Sequence, residues 1–187
     1  SFGQIAGRPS DASDLTTFTK VNITGIGKIA CGAYHTMFVP SSSSASYNSG
    51  EVYTHGFNRF GELGRPTISS SSIPSNSGMR FDATNVAEIS TELSHSAVLR
   101  TNGDLYIFGR NNFGQLGRGN TTSDRTESSS AVTRFPHNVS KVSLGGFYSA
   151  YIDASDKLYT FGYNGYYQLG NGTTTLRKDP THAFNNI

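Results

Sequence analysis

The chain contains no tryptophan, one cysteine (Cys31), two methionines, five lysines and six prolines in 187 residues. A single thiol makes neither an intrachain disulfide nor a zinc cluster. Charged residues are only 15% of the chain, the net charge is +2, and no three basic residues occur in a row. That excludes the dense Lys/Arg surface of a dedicated nucleic-acid binder. No apolar stretch approaches the roughly 18 residues of a membrane helix, and no charged-then-apolar leader is read at the start. Hydrophobic residues reach 35%, below the roughly 45–50% of an ordinary domain. The deficit is filled by 26 Ser, 19 Thr, 14 Asn and 21 Gly. Disorder would need high net charge and few aromatics. With 12 Phe and 10 Tyr, the composition instead predicts a folded chain rich in turns and strands.

The chain is built on a repeat. Val86–Thr122 laid over Val139–Thr175, a step of 53 without gaps, matches at 15 of 37 positions. Leu105-Tyr106 falls on Leu158-Tyr159, Phe108-Gly109 on Phe161-Gly162, Asn111 on Asn164, and Gln115-Leu116-Gly117 on Gln168-Leu169-Gly170. A third copy carries Val52-Tyr53, Gly56, Asn58 and Leu63-Gly64 at the same step. Ile29 and His35 align with Ile89 and His95 at a step of 60, which places an insertion of seven in the Ser-rich Pro40–Ser49. The expected division is a single propeller segment over 1–187. Within it, 1–25 is the end of a preceding repeat and a linker, 26–85 is repeat one with Ser-rich insertions, and 86–138 is repeat two. Residues 139–187 form repeat three and the start of the next, so the chain reads as part of a larger array.

Val86–Ser90, His95–Leu99 and Asp104–Phe108 read as short strands, and Asn102-Gly103 predicts a type I′ hairpin. In the third strand Leu105 and Ile107 point one way, Tyr106 and Phe108 the other. A strand apolar on both faces needs a sheet above and a sheet below. Blades stacked around an axis supply that environment, and a 53-residue period suits them. The expected fold class is all-β, a set of β-propeller blades.

The pattern V-x-x-I…H-S-A-x-L…N-G-D-L-Y-x-F-G-x-N-x-x-G-Q-L-G, from Val86 to Gly117, resembles the regulator of chromosome condensation repeat. The resemblance implies a seven-bladed β-propeller. Departures mark a divergent member: Phe108, Phe161 or His55 stands where the family usually has Trp, Tyr167 replaces a glycine, and Glu92 replaces the glycine of G-x-x-H.

No catalytic, cofactor or metal constellation emerges. His35, His95 and Tyr148 share one repeat position, so a structural role is expected for all three. His55 fills an aromatic slot, and His137 and His182 lack ligand spacing. There is no G-x-S-x-G, Gly25-Ile26-Gly27 lacks a third glycine, and Gly117–Thr122 lacks a P-loop lysine. Asp153 and Asp156 read as turn residues. Four N-x-[ST] sites are what chance supplies in so Ser/Thr-rich a chain. Gly56, Gly109 and Gly162 are expected where strands end, and Leu63, Leu116 and Leu169 between blades.

Function is therefore sought in what varies. The excursions Pro40–Ser49, Pro66–Gly78 and Thr121–Ser130 are either tolerated loops or contacts on one face. Tyr163, Asn164, Tyr166 and Tyr167 suit adaptable recognition at low charge. The expected role is a non-enzymatic scaffold for a protein or cell-surface partner, without cofactor, membrane or nucleic acid. It is held by the rest of a parent chain or by copies of itself. Ser/Thr/Asn/Gly-rich, Lys-poor composition resembles phage tail and fibre proteins, so a virion or extracellular location is expected. The family resemblance implies two alternatives, regulation of a small GTPase by nucleotide exchange and protein inhibition of an enzyme.

Overall fold

The computed structural model describes residues 24–44, 47–65, 84–122, 132–136 and 138–182, with the backbone of 71–75. Residues 1–23 of the expected 1–25 partial repeat, His137, Pro66–Gly78 apart from the backbone of 71–75, and Thr121–Ser130 beyond its first two residues lie outside these residues. The strands are β1 Ile26–Cys31, β2 His35–Pro40, β3 Tyr53–Gly56 and β4 Ser71–Ser75; β5 Val86–Glu92, β6 His95–Arg100, β7 Leu105–Gly109 and β8 Val132–Phe135; and β9 Val139–Gly145, β10 Tyr148–Asp153, β11 Leu158–Gly162 and β12 Arg177–His182. They form three four-stranded antiparallel meanders, β1-β2-β3-β4, β5-β6-β7-β8 and β9-β10-β11-β12. The chain is an all-β set of propeller blades, and no helix occurs among the described residues.

The fourth strand of each blade has no clear signal in the sequence. β8 reads V-T-R-F, and β12 reads R-K-D-P-T-H with Pro180 inside it. Proline is tolerated there because an edge strand leaves one side of its backbone unpaired.

The hairpin at Asn102-Gly103 is not type I′. Only Gly103 has positive φ, at 83°. The Gly103 N–H donates to Arg100 O at 3.0 Å and the Arg100 N–H to Asp104 O at 2.9 Å. This is a type I turn closed by a left-handed residue, the three-residue hairpin with a G1 bulge. The third blade repeats it with Asp156 (φ 61°), and the first ends its insertion on Gly50 (φ 75°). The Asp153 carboxylate accepts from the N–H groups of Ser155 (2.8 Å) and Lys157 (3.0 Å), which keeps its pKa low.

Blades pack face to face. Met37, Val39 and Val52 of the first meet Val86, Val98 and Phe108 of the second. Ala97, Leu99, Leu105, Ile107 and Leu116 of the second meet Val139, Val142 and Phe161 of the third. All five β7 residues are buried, as a strand between two sheets requires. Backbone hooks align neighbours: Val86 N–H donates to Gly50 O and Val139 N–H to Gly103 O, both at 3.1 Å. The Ser-rich insertion also contributes a ring. Its Tyr47 packs edge-on against Phe38 (5.4 Å) and Tyr53 (4.9 Å) on the first blade's outward face.

Candidate functional site

The histidine position joins blades. His35 Nε2 lies 2.8 Å from Ser96 Oγ in the next blade, and Ser96 Oγ donates to Glu62 O at 2.8 Å. One step on, His95 Nε2 lies 3.2 Å from Ser149 Oγ, which donates to Gln115 O at 2.7 Å. A serine hydroxyl has one hydrogen, and it goes to the carbonyl, so the imidazole Nε2–H is the donor. Burial pushes both histidines down to about 4, with the charges of His95 and His55 adding to the effect at His35. Both are neutral at pH 7. Each Ser–His pair is at most 1% exposed, so no substrate reaches it. Tyr148 holds the same position in the third blade, half-buried beside Gly145.

The loop after each third strand is built once and used three times. Asn58, Asn111 and Asn164 are fully buried, and their Oδ1 atoms accept the N–H of Leu63, Leu116 and Leu169 at 2.8, 2.9 and 3.0 Å. Asn164 Nδ2 donates to Thr173 O and Thr175 O, as Asn111 Nδ2 does to Asn120 O and Thr122 O. Asn164 therefore anchors its loop from within and is not part of an exposed recognition surface. The three leucines are 0–1% exposed. Gln115 and Gln168 Oε1 accept from Phe113 and Tyr166 N–H. Glu62 fills that slot in the first blade, accepting Phe60 N–H at 2.6 Å. Burial pushes its pKa up to about 7 against smaller opposing contributions from backbone N–H groups and Arg110. Gly56, Gly109 and Gly162 have φ of 110–112°, and a Cβ there would stand 2.5–2.6 Å from a carbonyl of the turn before the second strand. No side chain fits.

These loops and the first hairpin turns emerge at one end of the blades and carry a ladder of rings. Arg59 and Arg110 lie over Phe60 at 5.9 and 5.1 Å, and Arg110 also over Phe147 at 6.0 Å. Phe147 meets Phe113 (5.1 Å) and Tyr163 (6.5 Å), and Tyr163 meets Phe113 (5.1 Å) and Tyr166 (6.1 Å). Tyr166 and Tyr167 are 82% and 61% exposed, whereas Tyr163 is half-buried. Pro40–Ser49 joins β2 to β3 at the opposite end, so that excursion does not share this face.

Comparison with known proteins points to one kind of repeat. The profile of the Regulator of chromosome condensation (RCC1) repeat matches residues 102–152 and 155–185. Residues 102–152 and 155–185 thus carry RCC1 repeats, and the chain is similar to RCC1-type proteins along most of its length. Among its relatives, the ultraviolet-B receptor UVR8 of Arabidopsis thaliana is 30% identical over 178 residues, 91% of this chain and 37% of UVR8. The probable E3 ubiquitin-protein ligase HERC4 of Homo sapiens is 31% identical over 133 residues, 71% of this chain and 12% of HERC4. The crystal structure of Prp20p from Saccharomyces cerevisiae matches with a TM-score of 0.69 at 19% identity, covering 88% of this chain and 40% of that one. The chain thus spans well under half the length of these relatives. In the RCC1 blades the glycines, asparagines and loop leucines recur, while Phe57, Arg110 and Tyr163 show that the position after the strand-ending glycine changes from blade to blade. Sequence reading named the tyrosines of the third blade but missed Arg59, Phe60, Arg110, Phe113 and Phe147. Repeat equivalence to Tyr163 and Tyr166 was the available signal for Arg110, Phe60 and Phe113. Arg59 aligns with Asn112 and Gly165, and Phe147 with Ser94 and Tyr34, so these two carried none.

Proposed function

We propose that this RCC1 propeller segment is a non-enzymatic scaffold that binds a partner protein through the Arg59–Tyr167 face. The carrying observation is the ladder of rings and guanidinium groups across three blades, ending at the exposed Tyr166, which the exposed Tyr167 follows in the chain. Aromatics and arginine dominate the energetics of protein interfaces. Prp20p is described with binding properties to Gsp1p and histones, which supports a protein partner for a propeller of this fold. HERC4 is named as a ligase, but the shared stretch is 12% of it, so ligase activity lends nothing to this segment. Exchange on a small GTPase and inhibition of an enzyme are both special cases of protein binding. The virion reading rests on composition, and none of these relatives is named as a virion protein. A photo-cross-linking residue placed at Tyr166 in the native cell tests the proposal. Discrete protein adducts are expected there and not from Thr101 at the hairpin end. Adducts only at Thr101, or none at either site, would sink it.

A further inference from the structure

We infer that the segment docked on this face is acidic and extended, with carboxylates seated on Arg59 and Arg110 and an apolar side chain against Tyr166 and Tyr167. This deepens the protein-binding reading above and rests on it. Arg59 is exposed and Arg110 half-buried, and each guanidinium carbon lies over an aromatic ring. Among the described residues neither guanidinium has a hydrogen-bond or ion-pair partner. A guanidinium stacked on a ring keeps its in-plane N–H fork for a planar acceptor, and a carboxylate fits that fork. Glu62, the acid that acts electrostatically on Arg110, is not the missing partner. It is 1% exposed and its carboxylate is taken by the Phe60 N–H.

The apolar half of the footprint is marked by backbone strain. Tyr167 holds φ at 63°, where Gly61 and Gly114 stand at 81° and 77°. A bulky residue in the left-handed region costs about 1–3 kcal/mol and persists at functional positions. Here it adds a second exposed ring beside Tyr166.

Other occupants fit less well. A nucleic-acid strand is held through several phosphates at once, and the ladder offers two guanidinium groups, with Lys178 beside the Gly114 loop adding one ammonium. A second copy meeting this face with its own would oppose arginine to arginine, as a two-fold contact pairs identical patches.

The test is fluorescence anisotropy on the intact protein. The probes are a short peptide alternating glutamate with leucine, its glutamine and lysine counterparts, and a short single-stranded DNA. The glutamate peptide should bind at least about tenfold more tightly than the others and weaken with salt. Arg110→Gln should cost it at least about tenfold, Arg110→Lys should restore only part, and Thr101→Ala should change nothing. If Arg110→Gln unfolds at a lower temperature than the parent, exposed Arg59→Gln replaces it, with the same loss expected. Equal binding of the glutamine or lysine peptide, preference for DNA, no binding of any probe, or indifference to both arginine substitutions would overturn the inference. The cross-linking at Tyr166 judges the protein-binding reading separately.

Discussion

Tyr167 sits at a backbone angle that the other two blades reserve for glycine. Tyr167→Gly should raise stability by about 1 kcal/mol while weakening partner binding, measured by denaturant unfolding beside anisotropy. Gly109 is the reverse case. Gly109→Ala adds a Cβ 2.6 Å from Ser94 O and should destabilise by about 2 kcal/mol or more in the same unfolding assay. Glu62 makes stability depend on pH. Its folded pKa of about 7 lies above the ordinary carboxylate value, so from about pH 4.5 to 7 the unfolded chain gives up a proton that the fold retains. Stability from this group is therefore complete at low pH and lost as pH rises through 7. His35 and His95 act oppositely, since their folded values near 4 mean stability is lost as pH falls from about 6.5 toward 4. Glu62→Gln should abolish the alkaline limb and leave the acid limb intact, gaining on the order of 1–3 kcal/mol at pH 8 by chemical denaturation. Sequence reading could place Glu62 opposite Gln115 and Gln168. It could not reveal the burial that makes the exchange of oxygen for nitrogen matter.

The strands are legible where the side chains alternate. β5, β6 and β7 follow from Val, Ile, Leu, Tyr and Phe at period two, and their ends differ from expectation by only one or two residues. β4, β8 and β12 are illegible because an outer edge strand needs backbone pairing but little apolar surface. The Asn102 turn misleads because Asn-Gly serves more than one hairpin, and the backbone angle of Asn102 with the 3.0 Å bond from Gly103 to Arg100 distinguishes them. Two substitutions test how blades are fastened. Leu116→Ala removes a fully buried side chain from the cluster between the second and third blades and should cost about 2–5 kcal/mol. Ser149→Ala leaves the Gln115 carbonyl and the His95 imidazole without their shared hydroxyl and should cost about 1–3 kcal/mol. Denaturant midpoints at constant m-value check both.

The whole molecule is a stack whose contacts run from each blade to the next. Ala150, Ile152 and Leu158 hold the places of Ala97, Leu99 and Leu105, which are buried, yet they remain half-exposed. The isolated polypeptide should therefore self-associate or bind an apolar dye, and sedimentation at rising concentration checks it. A clean monomer without dye binding would show that this face is satisfied within the chain. The histidine–serine relay reaches beyond stability, into how such a gene can grow or shrink. His95 is encoded in one repeat and Ser149 in the next, so the heritable unit is the junction, which no single copy contains. A duplication or deletion of one full period keeps the junction wherever the copy carries a histidine, as those of His35 and His95 do and that of Tyr148 does not. A length change confined to a loop leaves the junction intact, as the His35–Ser96 pair spans seven residues more than the His95–Ser149 pair.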